Sequence, residues 1–321
     1  MLTIGVESEG QLIGPDGKRA DTVRALGSKS LKFPNKPFAE ITSDAALCSI
    51  ELVTGICSSA GEVLSDLNFL RSKLPQDYTI KFTTKIPVPE GMDHVPLAPK
   101  PRYSALLNAV QRESPEAWRK MYDIAGCCST QVHVGIDPTT VAGTALLNFW
   151  NHIGPYAAVR VREIHGIAQE AAGHCALWSE FADPRRFPSQ RWFTSPDEMR
   201  KYIAGIPKML KQIGDEWVVD LETPSELGDP DSESTIWWLA RPRGKYKTIE
   251  IRPFPSLEPK HSALVAGDVQ KISEAFLNET HAEGFANPRE LRPVFTKLSG
   301  RFYMVPPTPL SDHEWRHYFR Q

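Results

Sequence analysis

The sequence lacks a membrane segment, a signal peptide and an excess of charge. No apolar run approaches the length of a membrane span. The first residues contain neither the basic nor the apolar part of a signal peptide, and they open directly into a strand-like pattern. A formal net charge of −2 across 321 residues gives no reason to expect nucleic acid or a membrane surface as a partner. We therefore expect a cytoplasmic protein that acts on small molecules, alone or as a homo-oligomer.

Several sequence motifs for metal and nucleotide binding are also missing. The chain has only five cysteines and no CxxC motif, so no cysteine metal site is expected, and buried reduced thiols are the better interpretation. These residues are Cys48, Cys57, Cys127, Cys128 and Cys175. No GxxxxGK(S/T) sequence is present, which excludes a P-loop, and no GxGxxG follows a strand. A nucleotide would have to be bound in another way.

Four short segments alternate apolar and polar residues, as strands with one buried face do. The segments are Gly5–Glu9, Ile50–Thr54, Gln131–Gly135 and Ile249–Arg252. Their polar positions carry Glu7 and Glu9, Glu51, Gln131 and His133, and Glu250 and Arg252. If the segments lie in one sheet, four carboxylates, an imidazole and a guanidinium converge on one surface.

A wet sheet face is the simpler explanation for any one of these segments, because a half-buried strand alternates for that reason alone. Taken together, the segments contain no Asp or Lys, whereas Glu recurs. Carboxylates that face each other repel, so a cluster of them implies a cation between them. The set therefore predicts a metal and anion site.

The order of predicted elements indicates an α+β fold in one domain, residues 1–321, with a mostly antiparallel sheet. Strands and helices do not alternate strictly enough for a doubly wound fold. Helices are predicted at 60–74, at 104–125 with a break near 114, from 137 to about 172, from 196, at 261–281 and at 288–298. A strand is predicted at 78–87, a hairpin joins 237–242 to 248–254, and 223–235 is predicted to be an exposed polar loop.

The four segments, in this order, resemble those of type 2 glutamate–cysteine ligases, a carboxylate–amine ligase family of the glutamine synthetase superfamily. The resemblance implies a curved antiparallel sheet that forms a funnel, with helices outside and ATP entering at one end. It also implies the activity. A carboxylate, such as that of glutamate, is joined to an amine through an acyl-phosphate, which forms an amide bond and ADP.

The resemblance also implies roles for individual residues. The implied metal ligands are Glu7, Glu9, Glu51, His133 and Glu250, around two or three Mg²⁺ ions that Mn²⁺ can replace. Arg252 is expected to contact the transferring γ-phosphoryl group, and Arg241 to be a second clamp for phosphate or carboxylate. The predicted catalytic residues are thus Arg252, Glu250 and Arg241, and the predicted nucleotide contacts are Arg241, Arg252 and His133. Magnesium prefers oxygen ligands, and phosphoryl transfer requires neutralisation of charge, which suits these residue types.

Two departures from the family concern the substrate. Many relatives carry histidine where this chain has Gln131, so we expect Gln131 to contact substrate rather than metal. Residues 174–193 differ from the Ser- and Gly-rich substrate loop of relatives, although Ser189 and Arg191 are predicted to keep a carboxylate-binding role. The sequence leaves both substrates open, and glutamate and cysteine are not required.

Three other functions remain open at this stage. The same fold could serve a small-molecule kinase, which stops at phosphoryl transfer. Carboxylates could instead activate water in a metal-dependent hydrolase, or the protein could bind a nucleotide or amino acid without catalysis. A separate metal helix around His165 and His174 is disfavoured because the spacing is not HExxH.

Overall fold

The computed structural model describes residues 1–115, 120–167, 185–186 and 191–280. The strands are β1 Ile4–Ile13, β2 Ser30–Lys32, β3 Glu40–Ser43, β4 Ser49–Val53, β5 Thr79–Lys81, β6 Ser129–Gly135, β7 Leu210–Ile213, β8 Glu216–Val219, β9 Ala240–Arg243 and β10 Thr248–Pro255. The helices are α1 Thr22–Leu26, α2 Ala60–Arg71, α3 Pro101–Glu113, α4 Lys120–Ala125, α5 Val141–His165, α6 Pro196–Ala204, α7 Pro230–Glu233 and α8 Pro259–Thr280. Among them no helix is both long and apolar enough to cross a membrane.

An eight-stranded antiparallel sheet organises the described part of the chain. Its order is β2-β3-β4-β1-β6-β10-β9, and β5 pairs with the far end of β1. The path is open, and β7 and β8 form a separate two-stranded hairpin. The prediction of mixed helices and strands with a mostly antiparallel sheet is confirmed.

Helices α2, α5 and α8 pack together over one face of this sheet. The apolar positions of the four predicted segments point into that layer, and each is at most 2% exposed. They are Ile4, Val6, Ile50, Leu52, Val132, Val134, Ile249 and Ile251. Burial of this face supplies much of the free energy of folding. The alternate positions must therefore point to the opposite face.

Helix ends follow their capping residues closely. Ser195 accepts a hydrogen bond from the Glu198 backbone N–H at 3.1 Å and begins α6, as the sequence predicts. The long helix α5 begins at Val141 rather than near residue 137, because Thr140 is the residue whose side chain caps it. At its other end Gly166 adopts a left-handed conformation with φ 63°.

Three regions differ from the sequence expectation. The segment 223–235 is not an exposed loop throughout, since Asp229 caps the short helix α7 and Glu233 is fully buried. The β7–β8 hairpin, with Gly214 at φ 61° in its turn, was not expected. The strand predicted at 78–87 is limited to β5. The helix predicted at 288–298 lies outside the described residues.

Candidate active site

The strands that carry the predicted site lie side by side, in the order β4, β1, β6, β10 and β9. In the register, Glu9 is opposite Glu51, and Glu250 is opposite both His133 and Arg241. Residues that are opposite each other in an antiparallel pair project to the same face. The structure thus brings the polar positions of all four segments to one face of the sheet, opposite α2, α5 and α8.

Glu7 and His133 form an ion pair at the centre of this face. His133 Nε2 lies 3.0 Å from Glu7 Oε1, and His133 Nδ1 lies 3.1 Å from Thr248 Oγ1. Burial alone would raise the pKa of Glu7, but the charge and hydrogen bond of His133 lower it to about 2. Glu7 is therefore ionised at neutral pH. One ligand atom each from Glu7, His133 and Glu250 lies within 4.8 Å of the others.

Glu250 is fully buried among three arginines. Arg241 Nη2 donates to both carboxylate oxygens at 2.7 Å, and Arg241 Nε donates to Oε2 at 3.1 Å. Arg252 Nη1 donates to Oε1, and Arg243 Nη1 lies 3.5 Å from Oε2. Burial would raise the pKa of Glu250, but the three guanidinium groups hold it well below its usual range. In this arrangement Glu250 positions the arginines, and its role as a metal ligand stays a prediction.

The pKa values of Glu9 and Glu51 are shifted in the opposite direction from that of Glu250. Burial, and then the charge of neighbouring carboxylates, raises the pKa of both well above the usual value. Glu9 accepts hydrogen bonds of 2.6 Å from the Ser129 backbone N–H and from Gln131 Nε2. These contacts do not offset the burial of the charge and the repulsion between carboxylates. A cation between the two carboxylates would do so.

The Gln131 side chain connects the acidic and the basic parts of the site. Its Nε2 donates to Glu9, and its Oε1 accepts a 3.0 Å hydrogen bond from Arg252 Nη1. Gln131 is 5% exposed. Both ends of the amide therefore contact protein, and the proposed substrate contact is untested.

Two residues of the site were missed at the sequence level. Asp44 lies in the turn after β3, accepts a 3.1 Å hydrogen bond from the Tyr103 hydroxyl, and is among the carboxylates that raise the pKa of Glu9 and Glu51. Arg243 follows Arg241 by two positions on β9. That spacing alone could have placed the two arginines on one face. For Asp44 the sequence offers no periodic signal, because it lies in a turn.

Of the three residues predicted to bind substrate, Gln131 lies on this face and Arg191 does not. Arg191 Nη2 pairs with Glu198 Oε1 at 2.9 Å, and its guanidinium lies 4.7 Å from the Tyr202 ring. Glu198 also caps the start of α6, so Arg191 is held at that helix. Ser189 lies outside the described residues.

No protein-family model matches the chain. It is 25% identical over 258 residues to a protein of Mycobacterium sp. (strain KMS) provisionally named glutamate–cysteine ligase 2-2, an alignment that covers 78% of this chain and 62% of the relative. It is 28% identical over 294 residues to a glutamate–cysteine ligase 2, also a provisional name, from Polaromonas naphthalenivorans (strain CJ2), with 87% and 67% covered. The chain resembles the type 2 glutamate–cysteine ligases. It spans about three-fifths of the length of the Mycobacterium relative.

Two solved structures are more distant. A bifunctional glutathione synthetase from Pasteurella multocida aligns with 99% of this chain and 47% of its own, at 13% identity and a TM-score of 0.42. A glutamate–cysteine ligase from Francisella tularensis in complex with AMP aligns over 48% and 34%, at 16% identity and a TM-score of 0.32. At such scores the overall folds are not shown to match, so the resemblance depends on the sequence relatives.

Proposed function

We propose that the protein is an ATP- and Mg²⁺-dependent ligase that joins a carboxylate to an amine. One observation carries the proposal. An acidic patch (Glu7, Glu9 and Glu51), in which burial and neighbouring carboxylates raise the pKa of Glu9 and Glu51, lies directly beside a buried group of arginines around Glu250. Cations held by carboxylates and guanidinium groups beside them are what a triphosphate requires during phosphoryl transfer. The provisional names of the sequence relatives support the same activity.

The donor set fits magnesium. The patch offers carboxylate oxygens and one imidazole, and ligand atoms of Glu7, His133 and Glu250 lie within 4.8 Å of one another. Burial and neighbouring carboxylates raise the pKa of Glu51, an effect that a bound cation would oppose. We propose that Glu7, Glu9, Glu51 and His133 hold two or three Mg²⁺ ions, and that Glu250 joins them. When bound, the metal neutralises the charge of the triphosphate and helps to align it. We also propose that the sheet forms the funnel that the family resemblance implies.

Two bond exchanges make up the proposed reaction. A carboxylate oxygen of the substrate bonds to the γ-phosphorus of ATP while the bond to the β,γ-bridging oxygen breaks, which gives an acyl-phosphate and ADP. The amine nitrogen then bonds to the acyl carbon, the carbon–oxygen bond to phosphate breaks, and the nitrogen loses a proton. Arg252 and Arg241 would face the charge that develops on the transferred group. Gln131 fixes the orientation of Arg252 through its amide oxygen.

Product analysis tests this proposal. The protein is incubated with ATP, MgCl₂ and pooled amino acids, and the mixture is analysed by mass spectrometry. We expect ADP, inorganic phosphate and one new amide mass, all absent with Glu51→Gln and present with Glu216→Gln, which removes an exposed carboxylate on β8. A stable phosphate ester would identify a kinase instead. Hydrolysis without ATP would identify a hydrolase, and no turnover in any mixture would leave only a binding protein.

A further inference from the structure

A cavity of about 720 Å³ lies where β1 continues beyond Glu9. Its lining includes Gln11, Arg19, Cys48 and Lys81. None of these residues belongs to the acidic patch or to the arginines around Glu250. The cavity is therefore a separate feature of the same sheet.

Strand register places the polar groups of this cavity on a common side. Gln11 of β1 is opposite Lys81 of β5, and Ile13 is opposite Arg19 in an isolated bridge. Alternate residues of a strand share a face, so Gln11 projects to the same side as Glu9, at a spacing of about 7 Å along the strand. Lys81 and Arg19 project to that side as well. The arrangement thus follows from the backbone and not only from side-chain conformations.

More basic than acidic side chains line the cavity, and one nitrogen of Arg19 has no hydrogen-bond acceptor among the described residues. Lys18, Arg19 and Lys81 line it together with two acidic residues, Asp21 and Glu90. Asp21 Oδ1 accepts a 3.1 Å hydrogen bond from the Arg24 backbone N–H and caps α1. Within the described residues, no group accepts a hydrogen bond from the buried Arg19 Nη1. This atom has almost no solvent-accessible surface, so an anion in the cavity would be attracted by the charge of the guanidinium group rather than bonded at Nη1.

Apolar groups form much of the remaining wall. They are Ile13, Ala20, Leu47, Pro87, Pro89 and Pro96. Three of these are prolines, which present no backbone N–H to a ligand. A ligand that fits the cavity should therefore combine a negative group near Arg19 with an apolar part against these residues.

A small buried cluster lies beside this cavity. Cys48 lines the cavity, and Cys128 packs with Cys48 in this cluster, which also contains Ile86 and Val95. Cys128 is also close enough to Glu9 for the charge of that carboxylate to help raise the pKa of its thiol, after the larger effect of burial. None of the residues that line the cavity is a predicted metal ligand.

We propose that this cavity is a second binding site, for a small organic anion that carries an apolar group. The anionic group is a carboxylate or a phosphate, held by Arg19 and assisted by Lys81 and Lys18. The site is distinct from the site of ligation, and it stands whether or not the proposed reaction is correct.

Binding of four simple probes tests the proposal. Benzoate and phenyl phosphate carry both required parts, whereas acetate and inorganic phosphate carry only the charge. Calorimetry and the shift in Tm should show that at least one aromatic probe binds more tightly than its small counterpart. Preference for benzoate identifies a carboxylate site, and preference for phenyl phosphate a phosphate site. Equal, weak binding of all four probes would overturn the proposal.

Variants locate the bound probe. Arg19→Gln should weaken binding at least about tenfold, since the charge of the guanidinium group is lost. Arg24→Gln removes an exposed arginine of α1 that does not line the cavity, and it should leave the affinity unchanged. If Arg19→Gln fails to fold, Lys81→Gln, at an exposed position, is the second test, and it should also weaken binding of the probe. Equal loss in Arg24→Gln, or loss of probe binding in Glu51→Gln, would contradict the assignment.

Discussion

The carboxylates of the candidate site differ in how their charge is compensated. Glu250 is fully buried but accepts hydrogen bonds from two arginines and lies beside a third. Glu51 faces Glu9 across the β1–β4 pair, with Asp44 adding further negative charge. Substitution of one glutamate by glutamine should therefore have opposite effects at these two positions.

Glu51→Gln should stabilise the metal-free protein while it abolishes ligation. The change removes repulsion between carboxylates, and we expect the free energy of unfolding to rise by about 1 kcal/mol. Urea unfolding in the presence of EDTA measures the stability, and ADP release at saturating Mg²⁺ measures the activity. Activity equal to that of the parent protein would exclude Glu51 from the site.

Glu250→Gln should destabilise the protein strongly. It removes the buried carboxylate that is paired with all three guanidinium groups, which costs about 3–5 kcal/mol. The exposed substitution Glu216→Gln serves as the control and should change the free energy of unfolding by no more than about 0.5 kcal/mol. If Glu250→Gln unfolds at the same urea concentration as this control, the arginines do not depend on Glu250.

Arg252→Lys should lower kcat by about 10²–10³ and change the KM for ATP little. Lysine keeps the charge, but it loses the planar group that contacts Gln131 and Glu250 together. Steady-state kinetics with varied ATP separates the two parameters. A change confined to KM would mean that Arg252 binds the nucleotide only, and Arg241 would become the candidate for transfer. Near-normal kinetics with a lower Tm would mean that its ion pair is structural.

The sequence predicted which side chains share the polar face but not the contacts between them. Alternation with a period of two fixes the side of each residue in a strand, and this was sufficient for Glu7, Glu9, Glu51 and His133. The ion pair between Arg243 and Glu250 depends on the register of the β9–β10 hairpin. That register is set by the turn at 244–247, and the alternation of apolar and polar residues alone does not give it.

Helix α5 packs closely against the backbone of the segment that precedes it, at Gly143. A Cβ atom at Gly143, in the first turn of this helix, would collide with the backbone of Asp137 and lie 2.9 Å from Pro138 Cα. Gly143→Ala should therefore lower the free energy of unfolding by about 1–3 kcal/mol. Gly61→Ala in α2 is the matched control, because its nearest neighbour would be Ser59 Oγ at 3.8 Å, and it should be neutral or slightly stabilising. Thermal denaturation measures the stability of both variants. Equal changes in Tm would show that α5 can move away from the backbone of Asp137.

Long elements with a clear period were predicted better than short ones. Helices α2 and α8 have apolar residues at helical spacing and lie close to their predicted limits. Strands β7 and β8 have four residues each, and three of the four positions of β7 are exposed, which gives little alternation. Helix α7 is four residues long and depends on its cap at Asp229. Such pieces form through local hydrogen bonds and tertiary contacts that composition does not reveal.

For the whole molecule, magnesium should act as a stabilising ligand. A cation that binds only the folded state raises its stability by about 2.7 kcal/mol at a concentration 100 times its Kd. We expect MgCl₂ to raise the Tm of the parent protein relative to EDTA, and to have a much smaller effect on Glu51→Gln. NaCl of the same ionic strength is the control for screening. An equal increase with NaCl would mean that the carboxylates respond to salt and hold no specific ion.

The order of the strands also determines when the site can form as the chain is made. β1 is the first strand of the sequence, yet it reaches β10 only through β6, and β10 begins at Thr248. At roughly 5–20 residues per second, a ribosome needs on the order of tens of seconds to go from one to the other. Throughout that interval Glu7 and Glu9 exist without the guanidinium groups of β9 and β10. The nascent chain therefore gains the acidic residues of β1 well before the arginines that would face a triphosphate in the proposed reaction.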